Sequence, residues 1–295
     1  MPWQLLMIFQ NLLAALFVIN SRQLAKKFKR ATLPFNLLTY AFIFAGGITY
    51  ALLHGLSTVH IASFMHYYYV FIFAGVCFAV SSSTSYAVLQ HVDAAVASLL
   101  STFNILTTVA LSSVVLHEGL SWRQLLGGLL LIAGVELVVT IKVGRVRHNK
   151  LTRAVTLSII SAIFFAFALN SEKYLLNKVN LSTYLVFGWG FQFVGVCAVS
   201  VILGRRFSAD FNLLRNAAFY KIAVPAGFIR LFGGMLFIFS LKLSNNLSII
   251  TILTGLKIIM AALLGAYLLK ERDHLVRKLQ AALFASFGIA IIYWK

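Results

Sequence analysis

Apolar positions in this chain run in ten long blocks separated by short polar ones. The blocks fall at roughly 2–21, 33–53, 67–89, 94–115, 121–141, 152–174, 183–203, 219–241, 246–269 and 276–294. Each holds about twenty residues, enough for one α-helix to cross a ~30 Å hydrocarbon core. The pattern therefore predicts an all-α membrane protein with ten transmembrane helices. The first block lacks the basic start and small-residue cleavage site of a signal peptide, and reads as a mature helix.

The fourth and fifth blocks are rewritten in the ninth and tenth. Leu116-His117-Glu118, Leu125-Leu126-Gly127-Gly128 and Ala133-Gly134-Val135 correspond to Leu269-Lys270-Glu271, Leu279-Gln280-Ala281-Ala282 and Phe287-Gly288-Ile289. The register is about 153 residues, with one extra residue in the second turn. Phe17-Val18-Ile19-Asn20-Ser21 matches Phe167-Ala168-Leu169-Asn170-Ser171 more faintly. A basic stretch at 144–151 separates a first five-helix repeat, 1–143, from a second, 152–295. An odd number of spans per repeat makes the second enter the membrane upside down. The expectation is two inverted five-helix repeats forming one integral membrane unit.

Composition agrees with a lipid environment. Hydrophobic residues make up 61% of the chain and charged residues 11%, with a mean hydropathy of +0.92. The net charge of +18 does not point to nucleic acid, because the basic residues sit in short loops between blocks. Eighteen Lys and Arg fall on the face holding the loops 22–30, 142–153, 205–221 and 270–278, against five on the other. That face is expected to be cytoplasmic, against anionic lipid headgroups, with both termini outside. The expected location is a prokaryotic cytoplasmic membrane. Cys77 and Cys197 lie inside apolar blocks, without CxxC or Cys/His spacing, and read as packing residues.

Ten helices in five-plus-five form, each half closed by an apolar–Glu–apolar–Gly pattern around Glu118 or Glu271, resemble the drug/metabolite transporter superfamily, specifically its EamA-type members. The resemblance spans nearly the whole chain. It implies a secondary transporter that moves a small polar organic metabolite through a central cavity by alternating access, without ATP or a cofactor. Such proteins often carry a proline about thirteen residues before the Glu, where this chain has Ile105 and Ile258. They are also usually drawn with both termini in the cytoplasm, opposite to the charge count. A homodimer is compatible with this reading.

The repeat register maps Ser98, Ser101 and Asn104 onto Thr251, Thr254 and Lys257, a polar stripe on each of the fourth and ninth blocks. Symmetry would face the stripes across the pseudo-axis around a substrate. The alternative is that the hydroxyls bond backbone carbonyls and only hold helices together. Lys257 is the sharpest residue, since a cation at mid-bilayer costs roughly 2.5–3.5 kcal/mol unless paired or wet. Its place before Glu271 resembles a lysine that organophosphate and nucleotide-sugar branches of the superfamily use on anions. Arg230 is a second deep cation, either joining Lys257 in an anion site or pairing with Glu136 or Glu172. Gln10 and Asn11, Asn170, and Tyr86 behind the hydroxyl run 81–85 complete the candidate substrate site. Glu136 either exchanges protons to couple transport or is paired with a cation such as Lys142. Gln192 is a further deep polar residue.

Glu118 and Glu271 read as helix-entry residues, and the Trp residues as an interfacial belt. Gly46-Gly47 and Gly233-Gly234 lie inside helices and read as close-packing contacts or bends. His54, His60 and His66 lack helical metal-ligand spacing, so no metal is expected. The sequence holds no HExxH, GxSxG or phosphate-cradling loop. A membrane-embedded enzyme would need a nucleophile–base pair at one depth, and a purely structural subunit would need its deep cations in mutual salt bridges.

Overall fold

The structure, a computed structural model, describes residues 3–28, 31–117, 148–204, 212–244, 246–270 and 275–293, with 122, 123, 126, 127, 129, 130 and 133 between. Regular structure among the described residues is helical throughout. The helices are α1 (Trp3–Lys27), α2 (Thr32–His54), α3 (Ile61–His91), α4 (Ala94–Leu100), α5 (Thr102–Val115) and α6 (His148–Lys178). They continue with α7 (Leu181–Thr183), α8 (Trp189–Gly204), α9 (Ala217–Leu243), α10 (Leu247–Leu253), α11 (Leu256–Leu268) and α12 (Leu275–Tyr293). A π-helical turn, Tyr184–Gly188, joins α7 to α8.

Among the described residues, 8 helical stretches are long and apolar enough to cross a membrane. They coincide with the first four predicted blocks and the sixth to ninth. Most of the fifth, 121–141, lies outside the described residues, and the tenth is the helix α12. Large apolar side chains such as Leu53 and Phe9 point outward, as expected of helices solvated by lipid. The chain is an integral multi-pass membrane protein. The α6 helix begins at His148, so the end of the expected linker is already helical.

Helices early in the chain pack mainly on helices late in it. α1 lies on α9 and α11, α2 on α8 and α9, α3 on α6 and α8, and α5 on α6 and α10. Close approach is built in where α3 meets α8. A Cβ at Gly75 would stand 2.5 Å from the Phe191 carbonyl oxygen, and one at Gly195 2.7 Å from the Gly75 carbonyl oxygen. Gly46 is likewise packed under Leu231, whereas Gly233 and Gly234 have room and face the interior. The first glycine pair is thus a close-packing contact, and the second is not.

The fourth and ninth blocks each break in two. α4 ends at Leu100 and α5 begins at Thr102, with Ser101 between; α10 ends at Leu253 and α11 begins at Leu256. Thr254 is the repeat partner of Ser101. At both breaks the hydrogen bonding tightens to i→i−3: Asn104 N–H to Ser101 C=O at 3.0 Å, and Lys257 N–H to Thr254 C=O at 3.3 Å. No proline is involved, since Ile105 and Ile258 occupy those positions and are buried together. The ends of the two blocks also agree: His117 and Lys270, one repeat apart, both have left-handed backbones, at φ 53 and 55.

Candidate functional site

A cavity of about 270 Å³ lies among α1 to α6, α8, α9 and α11. Sequence reasoning left out the second and seventh blocks, yet α2 supplies Asn36 and Tyr40, and α8 supplies Trp189 and Gln192. The signal available was polarity within an apolar block, which had already marked Gln192.

The walls are fixed by hydrogen bonds that close on themselves. Ser161 on α6 meets Ser81 Oγ at 3.1 Å and Ser85 Oγ at 2.6 Å on α3. The Asn36 amide donates to Ser83 Oγ at 3.4 Å, tying α2 to α3. Ser112 on α5 and Ser248 on α10 share a bond of 2.8 Å. Asn11 donates to the Met7 carbonyl at 2.7 Å and to the Leu253 carbonyl at 2.9 Å. Asn11 therefore holds α1 against the break in the ninth block and is not among the cavity-lining residues; its amide nitrogen is engaged, while its Oδ1 has no hydrogen-bond partner.

The structure divides the remaining candidates. Lys257, Arg230, Asn104, Ser101, Thr254, Gln10 and Tyr86 line the cavity. Thr251 does not: it is buried and donates to the Leu247 carbonyl at 2.9 Å. Asn170 does not either, its amide donating to the Ala166 carbonyl at 2.9 Å. A step of three residues turns a helix by less than one full turn, so a stripe drifts, and the break at Thr254 moves Thr251 further aside. The hydroxyls of Ser101 and Thr254 also bond the preceding turn, to Ser98 C=O and Thr251 C=O, each at 2.6 Å. Glu136, with Glu118, Glu271, Lys142 and the basic stretch 144–147, lies outside the described residues.

Two cations face the cavity. The Arg230 guanidinium sits 5.2 Å from the centre of the Phe17 ring and 5.9 Å from that of Tyr40. Aromatic faces on two helices hold it through cation–π attraction while keeping its fork directed to the interior. Lys257 enters from α11, immediately after the break. Arg230 is close enough to act electrostatically on both Lys257 and Glu172.

Glu172 is the carboxylate among the described cavity-lining residues. It is buried, and the Tyr184 hydroxyl donates to it. Tyr184 belongs to the π-helical turn, and Gln192 on the following helix lines the same cavity as Glu172. Sequence reasoning named Glu172 only as a possible partner of Arg230. Its neighbour Lys173 is buried and donates to the Leu241 and Ser244 carbonyls at 2.9 and 2.6 Å. That bond caps the end of α9, where carbonyls lack intrahelical partners.

Several polar atoms on the cavity wall have no hydrogen-bond partner. They are Gln10 Oε1, the hydroxyls of Tyr40 and Tyr86, and Ser98 Oγ. Buried polar groups are rarely left so. The apolar part of the wall is aromatic: Phe17, Phe35 and Tyr86 follow one another at ring distances of 5.7 and 5.0 Å.

Comparison with known proteins gives two findings. Residues 1–140 match the EamA-like transporter family. A solved crystal structure of a protein superposes with a TM-score of 0.73, covering 98% of this chain and 95% of its own at 14% identity. At that identity the likeness is one of fold. No curated protein sequence matches the chain.

Proposed function

A member of the EamA-like transporter family by its residues 1–140, the chain is, we propose, a secondary transporter that carries a small organic anion across the membrane by alternating access. The observation that carries this reading is the cavity lined by Lys257 and Arg230 together with Asn104, Tyr86 and Ser98. The cations supply charge for a carboxylate, sulfonate or phosphate, and Asn104, Tyr86 and Ser98 supply hydrogen bonds around it. The ring series Phe17–Phe35–Tyr86 favours a substrate with a flat apolar body.

Ten spans in two inverted repeats fit this reading. In such an arrangement the broken helices α4–α5 and α10–α11 are counterparts placed at the substrate, and the tightened turns at Ser101 and Thr254 are the points about which the halves rock. The chain is read as a transporter and not an enzyme, since the cavity pairs cations with hydroxyls and offers no nucleophile–base pair among its described residues. Exchange of organophosphates is a narrower version of the same anion reading.

A thermal-shift series on purified protein tests the charge requirement with one aromatic body. Benzoate, benzenesulfonate and phenyl phosphate are compared with neutral benzyl alcohol and cationic benzylamine. Stabilisation by the anions alone, lost in Lys257→Met, is the expected result. Equal stabilisation by benzyl alcohol or benzylamine, unchanged in Lys257→Met, would overturn it.

A further inference from the structure

We propose that an organic anion binding beside Arg230 drives protonation of Glu172, so that anion and proton cross the membrane together. The proposal rests on the anion-binding reading above and assigns proton coupling to Glu172, where the sequence had offered Glu136 for that role as one of two readings.

The geometry joins three groups in one place. Glu172 is 2% exposed and lines the cavity. Arg230 lines the same cavity and acts on Glu172 through space. Lys173, next in sequence, is not among the cavity-lining residues and donates to the carbonyls that end α9. Among the described cavity-lining residues, Arg230 acts on the charge of Glu172.

The titratable groups around it come from every neighbouring helix. Tyr184 from the π-helical turn donates to its carboxylate, and Tyr40 of α2 adjoins Tyr184. α3 contributes Tyr86 at the cavity and Tyr67 against Tyr174 of α6. α9 contributes Arg230 and α11 contributes Lys257. Span one and α5 present amides, Gln10 and Asn104.

An anion entering this cavity takes Arg230 as its counter-charge. Two negative groups then share the cations of a low-dielectric site, and the buried Glu172 carboxylate takes up the proton that relieves their repulsion, as it must when the anion is a sulfonate. The hydrogen bond to Tyr184 survives the change by reversing: the neutral carboxyl donates its O–H to the phenol oxygen. Linkage makes the effect mutual, since a protonated Glu172 no longer competes for Arg230 and the anion binds more tightly. The proton enters from water on the side to which the cavity opens, rests on a Glu172 carboxylate oxygen, and returns to water when the anion leaves. No other bond is made or broken. A monoanion then crosses with no net charge.

Binding calorimetry on the purified full chain tests this, using benzoate and benzenesulfonate, which stay ionised between about pH 6 and about pH 9. Titrations in buffers of different ionisation enthalpy count the protons taken up. The wild type is expected to take up one proton per anion, with affinity falling about tenfold per pH unit on the alkaline side. Glu172→Gln is expected to bind with pH-independent affinity and no uptake, and Tyr184→Phe to keep the uptake with a displaced pH profile.

Anion binding by the wild type without proton uptake would overturn the proposal and leave the anion site standing. Uptake that persists in Glu172→Gln would also overturn it, assigning the proton to Lys257. Failure of both anions to bind wild-type protein at any pH would overturn the anion site and the coupling with it.

Discussion

Asp93 and Asn246 stand one repeat apart and make the same bond. The Asp93 carboxylate accepts the Val96 N–H at 2.9 Å, and the Asn246 side-chain oxygen accepts the Ile249 N–H at 3.0 Å. Each satisfies one of the orphan donors at the start of a short helix that leads into the cavity. Asp93→Ala and Asn246→Ala are expected to cost about 1 kcal/mol each. Asp93→Asn should cost much less. Denaturant melts in a single detergent, followed by circular dichroism, measure the three side by side.

The contact between α3 and α8 leaves no room for a methyl group. Gly75→Ala places a Cβ against the Phe191 backbone, which can yield only if the helices separate. A loss of about 2 kcal/mol is expected. Gly234→Ala, whose Cβ would meet the Trp189 ring at 3.8 Å, should fold like the wild type. Comparing the two in the same melts separates helix contact from cavity lining.

Two lysines fasten α6 to α9. Lys173 caps the Leu241 and Ser244 carbonyls, and Lys242 donates back to the Leu176 carbonyl. Removing a charged donor from buried carbonyls costs about 1–3 kcal/mol. Lys173→Met is therefore expected to lower stability by that amount. Its anion affinity should stay within about twofold of the wild type, since Lys173 caps carbonyls away from the cavity cations. A large affinity loss at unchanged stability would contradict the structural role.

The hydroxyls of Tyr40 and Tyr86 are buried without partners. Tyr86→Phe should leave the empty protein as stable as before, because no hydrogen bond is lost. If the hydroxyl serves the ligand, the same change weakens anion binding about fivefold to tenfold. Stability and affinity measured on one preparation would show the two effects apart.

Much of this architecture was legible in the residues. Blocks of apolar residues locate eight membrane-length helical stretches because lipid forces every backbone group into helical hydrogen bonds. The register that aligned Leu116-His117-Glu118 with Leu269-Lys270-Glu271 also aligns the caps at Asp93 and Asn246 and the left-handed His117 and Lys270. Lys257 and Arg230 stood out because an intramembrane charge needs a reason.

Other parts were hidden for identifiable physical causes. Whether an amide such as Asn11 or Asn170 faces the cavity or its own helix depends on rotation about the helix axis, which a single sequence leaves open within a hydrophobic helix. The breaks at Ser101 and Thr254 arise without proline, from a local tightening that no residue type announces. Glu172 entered only as a partner for Arg230, because whether it faces the cavity depends on the rotation of α6 about its axis. The π-helical turn that sets Tyr184 on Glu172 likewise has no sequence signature.

Counterflow in liposomes tests the central claim most directly. The purified chain is reconstituted, the vesicles are loaded with unlabelled benzenesulfonate, and entry of the labelled anion is followed from outside. The account predicts faster entry into loaded than into empty vesicles, abolished in folded Lys257→Met protein. Equal entry into loaded, empty and protein-free vesicles, with the wild type folded by circular dichroism, would contradict it.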